Sequence, residues 1–453
     1  MRGEFTSMRI DVNYWRLSAF VKSRLKGALY QPHEVGTLVS LVQYGCSKLA
    51  SSEPVGTPIL RMNNLQANGW DLRDLKWVQL SDSELETYRL QREDLLFNRT
   101  NSKELVGKCE VFRETGEWVF ASYLIRVRTD ESRLRAQFAS DFFNSAAGRL
   151  QIDQMSRQII GMTNINAEEI KSIRIPVPPP RRQDEFIAAM NVARAERQAR
   201  LAEAESLLAS LDGVVLRAAG YRPPPPPRKV FAVRSGELTG ALNPDRYRAM
   251  QLEKSLPFDA RVGECGTLLD ARCSPQREAP TQVWDWIRID DLPNQPWQVE
   301  NVRTERGANI GGTFFEVQEN DILLARLGPT ILNAKFVLCP KLTRRTVASA
   351  EFLVLRCHAG WRPVAVLWLL RTKLYRDIMY LRSRGGTPSR FRLSAEDLAA
   401  IPFPRLDDLT QTEIASEVQR CHERSRRLRA DAEEGWQASK RLFEEKLLGP
   451  VQP

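Results

Sequence analysis

The side chains best suited to chemistry in this chain of 453 residues are guanidinium, amide and ammonium groups, and they gather at matching places in its two halves. In the first half they are Asn98, Arg99, Asn101 and Lys103, at and after the end of Arg92-Glu-Asp-Leu-Leu-Phe-Asn-Arg99. Arg157, Gln158 and Thr163 follow in the loop Arg157-Gln-Ile-Ile-Gly-Met-Thr163. In the second half they are Arg326, Asn333 and Lys335, at and after the end of Glu319-Asn-Asp-Ile-Leu-Leu-Ala-Arg326. Arg382, Arg384, Thr387, Arg390 and Arg392 lie in and after Arg382-Ser-Arg-Gly-Gly-Thr387. Arg forms paired hydrogen bonds with guanine, Asn and Gln do so with adenine, and Lys and Arg neutralise phosphate. Taken singly, any of these residues also reads as a solvated or phosphate-contacting surface charge.

Other chemistries lack their residues. No Gly-rich loop has the P-loop spacing, there is no His-Glu-x-x-His, and no Asn-Pro-Pro-Tyr or Asp-Pro-Pro-Tyr element of an amino-methyltransferase is present. Asp94 and Asp321 stand before strands as nuclease carboxylates do, but neither has a Glu-x-Lys downstream, so they read as turn aspartates. Seven cysteines without a Cys-x-x-Cys pair, and three scattered histidines, fit free thiols in a reducing compartment better than a disulfide framework or a metal site. A net charge of +10 favours a polyanionic partner. No apolar run approaches a membrane span and the N-terminus has no hydrophobic signal region, so the expected location is the cytoplasm.

The elements that must position the polar groups are repeated. Leu60 and Ile287, Asp94 and Asp321, and Ser122 and Ser349 are each 227 positions apart, as duplication would leave them. Each copy gives a Val-Gly step (Val35-Gly36, Val262-Gly263), then Pro-Ile-Leu-Arg-Met-Asn-Asn-Leu65 or Asp-Trp-Ile-Arg-Ile-Asp-Asp-Leu292. An apolar strand ending on Arg99 or Arg326 follows, then a second alternating strand, a helical patch and the Gly-Thr loop. The prolines of Ile173-Arg-Ile-Pro-Val-Pro-Pro-Pro180 and Ile401-Pro-Phe-Pro404 close each copy.

Long helices are predicted next. Residues 183–219 lack proline and are rich in Ala, Leu, Arg and Glu, giving a rod of roughly 55 Å. Two apolar seams run along it: Ile187, Leu201, Leu208 and Val215, and Met190, Ala204, Leu211 and Ala218. The second helix, about 410–448, carries Ile414, Val418, Cys421, Leu428, Ala432 and Leu442 on one stripe, with Trp436 and Phe443 as anchors for a partner helix or for the first helix. Five prolines between Arg222 and Arg228 form a semi-rigid spacer.

The order of these pieces resembles a specificity subunit of a type I restriction–modification system. The resemblance rests on the paired lead-ins Arg-Ile-Asp-Val-Asn-Tyr-Trp15 and Ala-Leu-Asn-Pro-Asp-Arg-Tyr247, and on the strands ending at Arg99 and Arg326. It rests also on the Gly-x-Thr loop followed by Ile-Pro-Val-Pro-Pro-Pro and Gln183-x-x-x-Ile187, and on the two closing helices. The second copy departs from the usual Pro-Pro-Leu-x-Glu-Gln, having Pro404-Arg-Leu-Asp-Asp-Leu-Thr-Gln411.

The resemblance implies an α+β fold: two pseudo-repeated α/β target-recognition domains, each followed by a long helix, the helices packing as an antiparallel coiled-coil-like strut. The expected division is target-recognition domain 1 over 1–180, helix 1 over 181–220, a Pro-rich linker over 221–230, target-recognition domain 2 over 231–406 and helix 2 over 407–449. It implies a non-catalytic subunit directing a methyltransferase to a bipartite site on double-stranded DNA. Two methyltransferase subunits are the expected partners, with room for a restriction/translocase subunit. S-adenosylmethionine, ATP and Mg are expected on the partners, and no cofactor on this chain. The resemblance carries over a region and not individual base-reading residues. The rival reading is a duplicated, non-catalytic scaffold of a phage-defence complex that reads no sequence.

Overall fold

The computed structural model describes residues 21, 23–66, 69–101, 106–155, 157–159, 162–221, 233, 235–237, 244–254, 256–293, 297–299, 302–385, 387 and 390–450. The Trp15 lead-in, the proline run and Lys103 lie outside them. The chain forms two compact units, Met1–Ala202 with Leu428–Pro453, and Glu203–Arg427. Each therefore takes in part of both long helices, Pro180–Ala218 and Asp408–Leu448. Among the described residues no helix is long and apolar enough to cross a membrane.

The first unit is built on a four-stranded antiparallel sheet in the order Val39–Tyr44, Leu124–Thr129, Leu95–Asn98, Cys109–Val111. The all-apolar face of Leu95, Phe97, Ile125 and Val127 packs on the helix Ala136–Phe143 to make its main core. A smaller sheet sets Thr57–Leu60 parallel to Val119–Phe120 and antiparallel to Lys76–Val78. The second unit repeats both sheets. Gly266–Leu268, Phe352–Cys357, Ile322–Ala325 and Phe336–Leu338 take the same order as the first four strands. Val283–Ile287 lies parallel to Thr346–Ser349, as Thr57–Leu60 lies to Val119–Phe120.

The repeat reaches single bonds. Glu93 and Asn320 both have positive φ, 68° and 69°, in turns where Asp94 and Asp321 accept from the N–H groups of Gln91 and Gln318 at 2.8 Å. Each aspartate, almost fully buried, then takes both donors of an arginine on the neighbouring strand, Arg128 at 2.7 and 2.9 Å and Arg356 at 2.8 and 2.7 Å. The turn reading of these carboxylates holds, and the buried ion pair adds a function the spacing did not disclose.

A second repeated device fixes each helix start. Gln183 is buried; its amide donates to the carbonyls of Arg133 and Pro178 at 2.8 Å and accepts from the Arg135 N–H at 2.8 Å. Gln411, also buried, donates to Gly360 and Leu406 at 2.9 and 3.0 Å and accepts from Arg362 N–H at 2.6 Å. A primary amide has two donors and an acceptor to offer, and both residues satisfy all three against backbone.

The long helices run antiparallel. In the first unit Phe186 meets Phe443, with ring centroids 5.3 Å apart, and Arg197 meets Glu433 at 3.1 Å. In the second, Ser425 Oγ donates to the Ala204 carbonyl at 3.1 Å beside Glu203–Arg424 at 3.3 Å. Of the two predicted seams, Met190, Ala204, Leu211 and Val215 are buried, whereas Ile187, Leu201, Leu208 and Ala218 are only half-buried. Leu442 corrects the predicted stripe: it is 50% exposed, and Phe443 and Leu447 are buried instead. The helical period carries the stripe from Ala432 to Phe443, and Leu442, one residue earlier, falls about 100° off it. Phe443 packs on the chain's own first helix.

Candidate nucleic-acid interface

Three short strands that no periodicity could reveal bring the first set of polar residues together. Thr100–Asn101, Met162–Asn164 and Arg157–Ile159 form one sheet. In its register Asn101 pairs with Thr163, which pairs with Gln158, while Arg157 pairs with Asn164. The strand end and the Gly-Thr loop, some sixty positions apart in sequence, thus become one edge.

Arg99 is held at the root of this edge from both backbone sides: its N–H donates to the Tyr123 carbonyl, and its carbonyl accepts from the Ile165 N–H, each at 3.0 Å. Its guanidinium lies 4.8 Å from the centroid of the Tyr44 ring. The Tyr44 hydroxyl accepts from the Ala167 N–H at 3.1 Å, which fixes that ring. Tyr44 and Tyr123 are 39% and 51% exposed, while Arg99 is half-buried and its Nε is buried without a hydrogen-bond partner. A cation over an aromatic face is pre-oriented for a planar or anionic ligand. Asn98, one residue inward, is buried.

The second unit reproduces the frame. Arg326 donates its N–H to the Glu351 carbonyl at 3.1 Å and accepts from the Leu393 N–H at 2.9 Å. Bridges of Leu327 with Arg392 and of Arg384 with Arg392 replace the small sheet. Arg326, Arg384 and Arg392 therefore occupy the positions that Arg99, Arg157 and Asn164 hold in the first unit.

The side-chain chemistry differs between the frames. Glu351 binds Arg392 at 3.1 and 3.2 Å, which raises the guanidinium pKa above its ordinary value. Arg272 lies 3.5 Å from the centroid of Phe315. Burial lowers its pKa, as does neighbouring Arg326, while Glu351 opposes them. Arg384 is exposed and reaches Asp397 only at 3.7 Å, and Thr387 and Arg390 are exposed as well.

Other residues of the predicted set sit elsewhere. Arg382 turns inward, binding Glu253 at 3.2 Å and the Asp397 carbonyl at 3.2 Å. Lys335 donates to the Ile289 carbonyl at 3.2 Å. Asn333 is exposed at the end of the helix Gly328–Leu332. Tyr44, Tyr123 and Arg272 were not singled out by sequence. Only pairing across the sheets brings them beside Arg99 and Arg326, and a lone tyrosine in an apolar strand carries no signal of that. Among the described residues no His, Cys, Asp and Glu group of three or more could hold a metal ion.

The chain is similar to several known proteins. The EcoKI specificity subunit of a type I restriction enzyme from Escherichia coli strain K12 is 30% identical over 154 residues, 33% of this chain and 33% of that protein. The StySPI specificity subunit of a type I restriction enzyme from Salmonella potsdam is 25% identical over 181 residues, 38% of this chain and 39% of that protein. The matches thus span between a third and two fifths of these curated relatives. A chain solved in a study of complex assembly and conformational transition of the type I R-M system shares the fold, with a TM-score of 0.52 at 12% identity over 92% of this chain and 96% of that one. No family model matches the chain. The similarity to type I specificity subunits expected from the repeated motifs is present, and the α+β fold with its two long helices is the expected one.

Proposed function

We propose that this chain is the non-catalytic specificity subunit of a cytoplasmic type I restriction–modification complex, each unit reading half of a split site on double-stranded DNA. The observation that carries the reading is the duplicated edge: the same backbone frame presents Arg99 in one unit and Arg326 in the other, each with cationic or amide neighbours. A pure scaffold would need the long helices but not two such edges. Methyltransferase subunits, with a restriction/translocase subunit in complexes that cut, would supply the chemistry and hold S-adenosylmethionine, ATP and Mg. The paired helices would fix the gap between half-sites, since a helix keeps its length where a flexible tether does not.

The test is methylation mapping in cells that express the neighbouring methyltransferase gene with and without this chain. A split motif that appears only with the chain is the expected result. An active methyltransferase with no chain-dependent motif would support the scaffold instead.

A further inference from the structure

Within the unit formed by Met1–Ala202 and Leu428–Pro453, a polar cleft of about 380 Å³ lies between the globular part and the long helices. Five cations line it: Lys108, Arg149, Arg194, Arg197 and Lys440. Its acids are already engaged. Asp141 binds Arg194, Glu433 binds Arg197 at 3.1 Å, and burial raises the pKa of Glu110 towards its neutral form. Arg149 donates to the Val106 carbonyl and lies 3.8 Å from Asp153.

Among the described residues the ammonium groups of Lys108 and Lys440 have neither hydrogen bond nor ion pair. Burial pulls both below the ordinary lysine value; Glu444 and Glu433 oppose the shift of Lys440, and Arg149 lowers both lysines further, so the two share a cationic neighbour. Like charges in a concave, partly dehydrated space repel strongly, and an anion there would relieve them. Two further buried atoms are unmatched: Asp141, 5% exposed, has no hydrogen-bond partner for its Oδ2, nor has Arg197 for its Nε. A buried carboxylate oxygen calls for a donor such as a hydroxyl.

We propose that this cleft binds a phosphate group through Lys108, Lys440 and Arg149, with Asp141 Oδ2 accepting from a neighbouring hydroxyl. The phosphate could come from a free nucleotide or from a DNA backbone; only the second source rests on the function proposed above.

The test uses the full chain, wild type and the double variant Lys108→Gln/Lys440→Gln, with Lys440→Arg as the charge-retaining control. Calorimetric titration with pyrophosphate and with adenosine 5′-monophosphate reads the free source. Affinity for a scrambled DNA duplex across salt concentrations reads the backbone source. Small-anion binding that falls at least tenfold in the double variant and survives Lys440→Arg would establish the free source. No small-anion binding, together with a salt slope smaller by about two in the double variant, would establish the backbone source. Duplex binding with an unchanged slope, and no variant-sensitive small-anion binding, would overturn the cleft proposal alone. Failure to bind either duplex or small anions would overturn both this proposal and the DNA-reading one.

Discussion

His422 shows how one side chain can report on its unit. It stacks on Trp297 with centroids 4.6 Å apart and an interplanar angle of 29°, and lies tilted at 57° to Trp368 with centroids 5.2 Å apart. Burial, then Arg371 and Arg426, lower its pKa from 6.5 to about 4. The folded imidazole is therefore neutral where the unfolded one is charged, between roughly pH 4 and 6.5, and the unfolded state holds the extra proton. Its contribution is fully present above pH 6.5 and is lost as pH falls towards 4. Denaturant titrations at a series of pH values should show stability declining across that window. His422→Phe, which keeps a ring between the two indoles, should flatten that part of the profile. An unchanged slope in the variant would assign the decline to other groups.

At the scale of elements, the buried aspartate turn tests how deep the duplication runs. Asp94 faces Arg128 and also Arg126, at 3.4 Å, and Arg126 is 3% exposed. Burial lowers the pKa of Arg126, and Asp94 opposes this. In the second unit Val354 stands on the strand where Arg126 stands in the first, and among the described residues Arg356 is the one cation paired with Asp321. Removing Asp94 strands a buried cation, at about 3–5 kcal/mol. Removing Asp321 leaves a more exposed arginine, at about 1–3 kcal/mol. Chemical denaturation of Asp94→Ala and Asp321→Ala should rank them in that order, and equal losses would mean that Arg126 is held instead by the Arg89 and Thr87 carbonyls, to which it donates at 2.6 and 3.0 Å. This asymmetry was hidden in the sequence, although the turns were not. Asp94 and Asp321 share an offset, a following apolar run and a turn residue's chemistry, so local pattern sufficed. The long helices were legible for the same reason: their composition is local, and their ends, Pro180 and Leu448, fall within a few residues of the predicted ones. Thr100–Asn101 is too short to show alternation, and Arg382 could not be distinguished from Arg384 until Glu253 was seen beside it. Such features depend on partners far along the chain, some sixty positions away for Thr100–Asn101 and 129 for Arg382.

For the whole molecule, the consequence of duplication is separability. Arg99 and Arg326 hold the same place in their frames, but one lies over a tyrosine and the other beside Arg272, which also neighbours Glu351. Matching frames with different side chains suit a ligand whose two parts differ, as the halves of an asymmetric split site would. If each arginine reads a base, Arg99→Ala should relax the methylated motif at one position of one half, and Arg326→Ala at one position of the other. Each should cost about 1–3 kcal/mol of specific binding. The gap between the halves should not change in either variant, because neither substitution touches the long helices. Phosphate contact predicts another pattern: every sequence weakens alike, the motif stays intact, and the salt slope falls by about one. Sequencing of methylated genomic DNA from the two single variants separates these outcomes. Relaxation of both halves by one substitution would refute the assignment of one half-site to each unit.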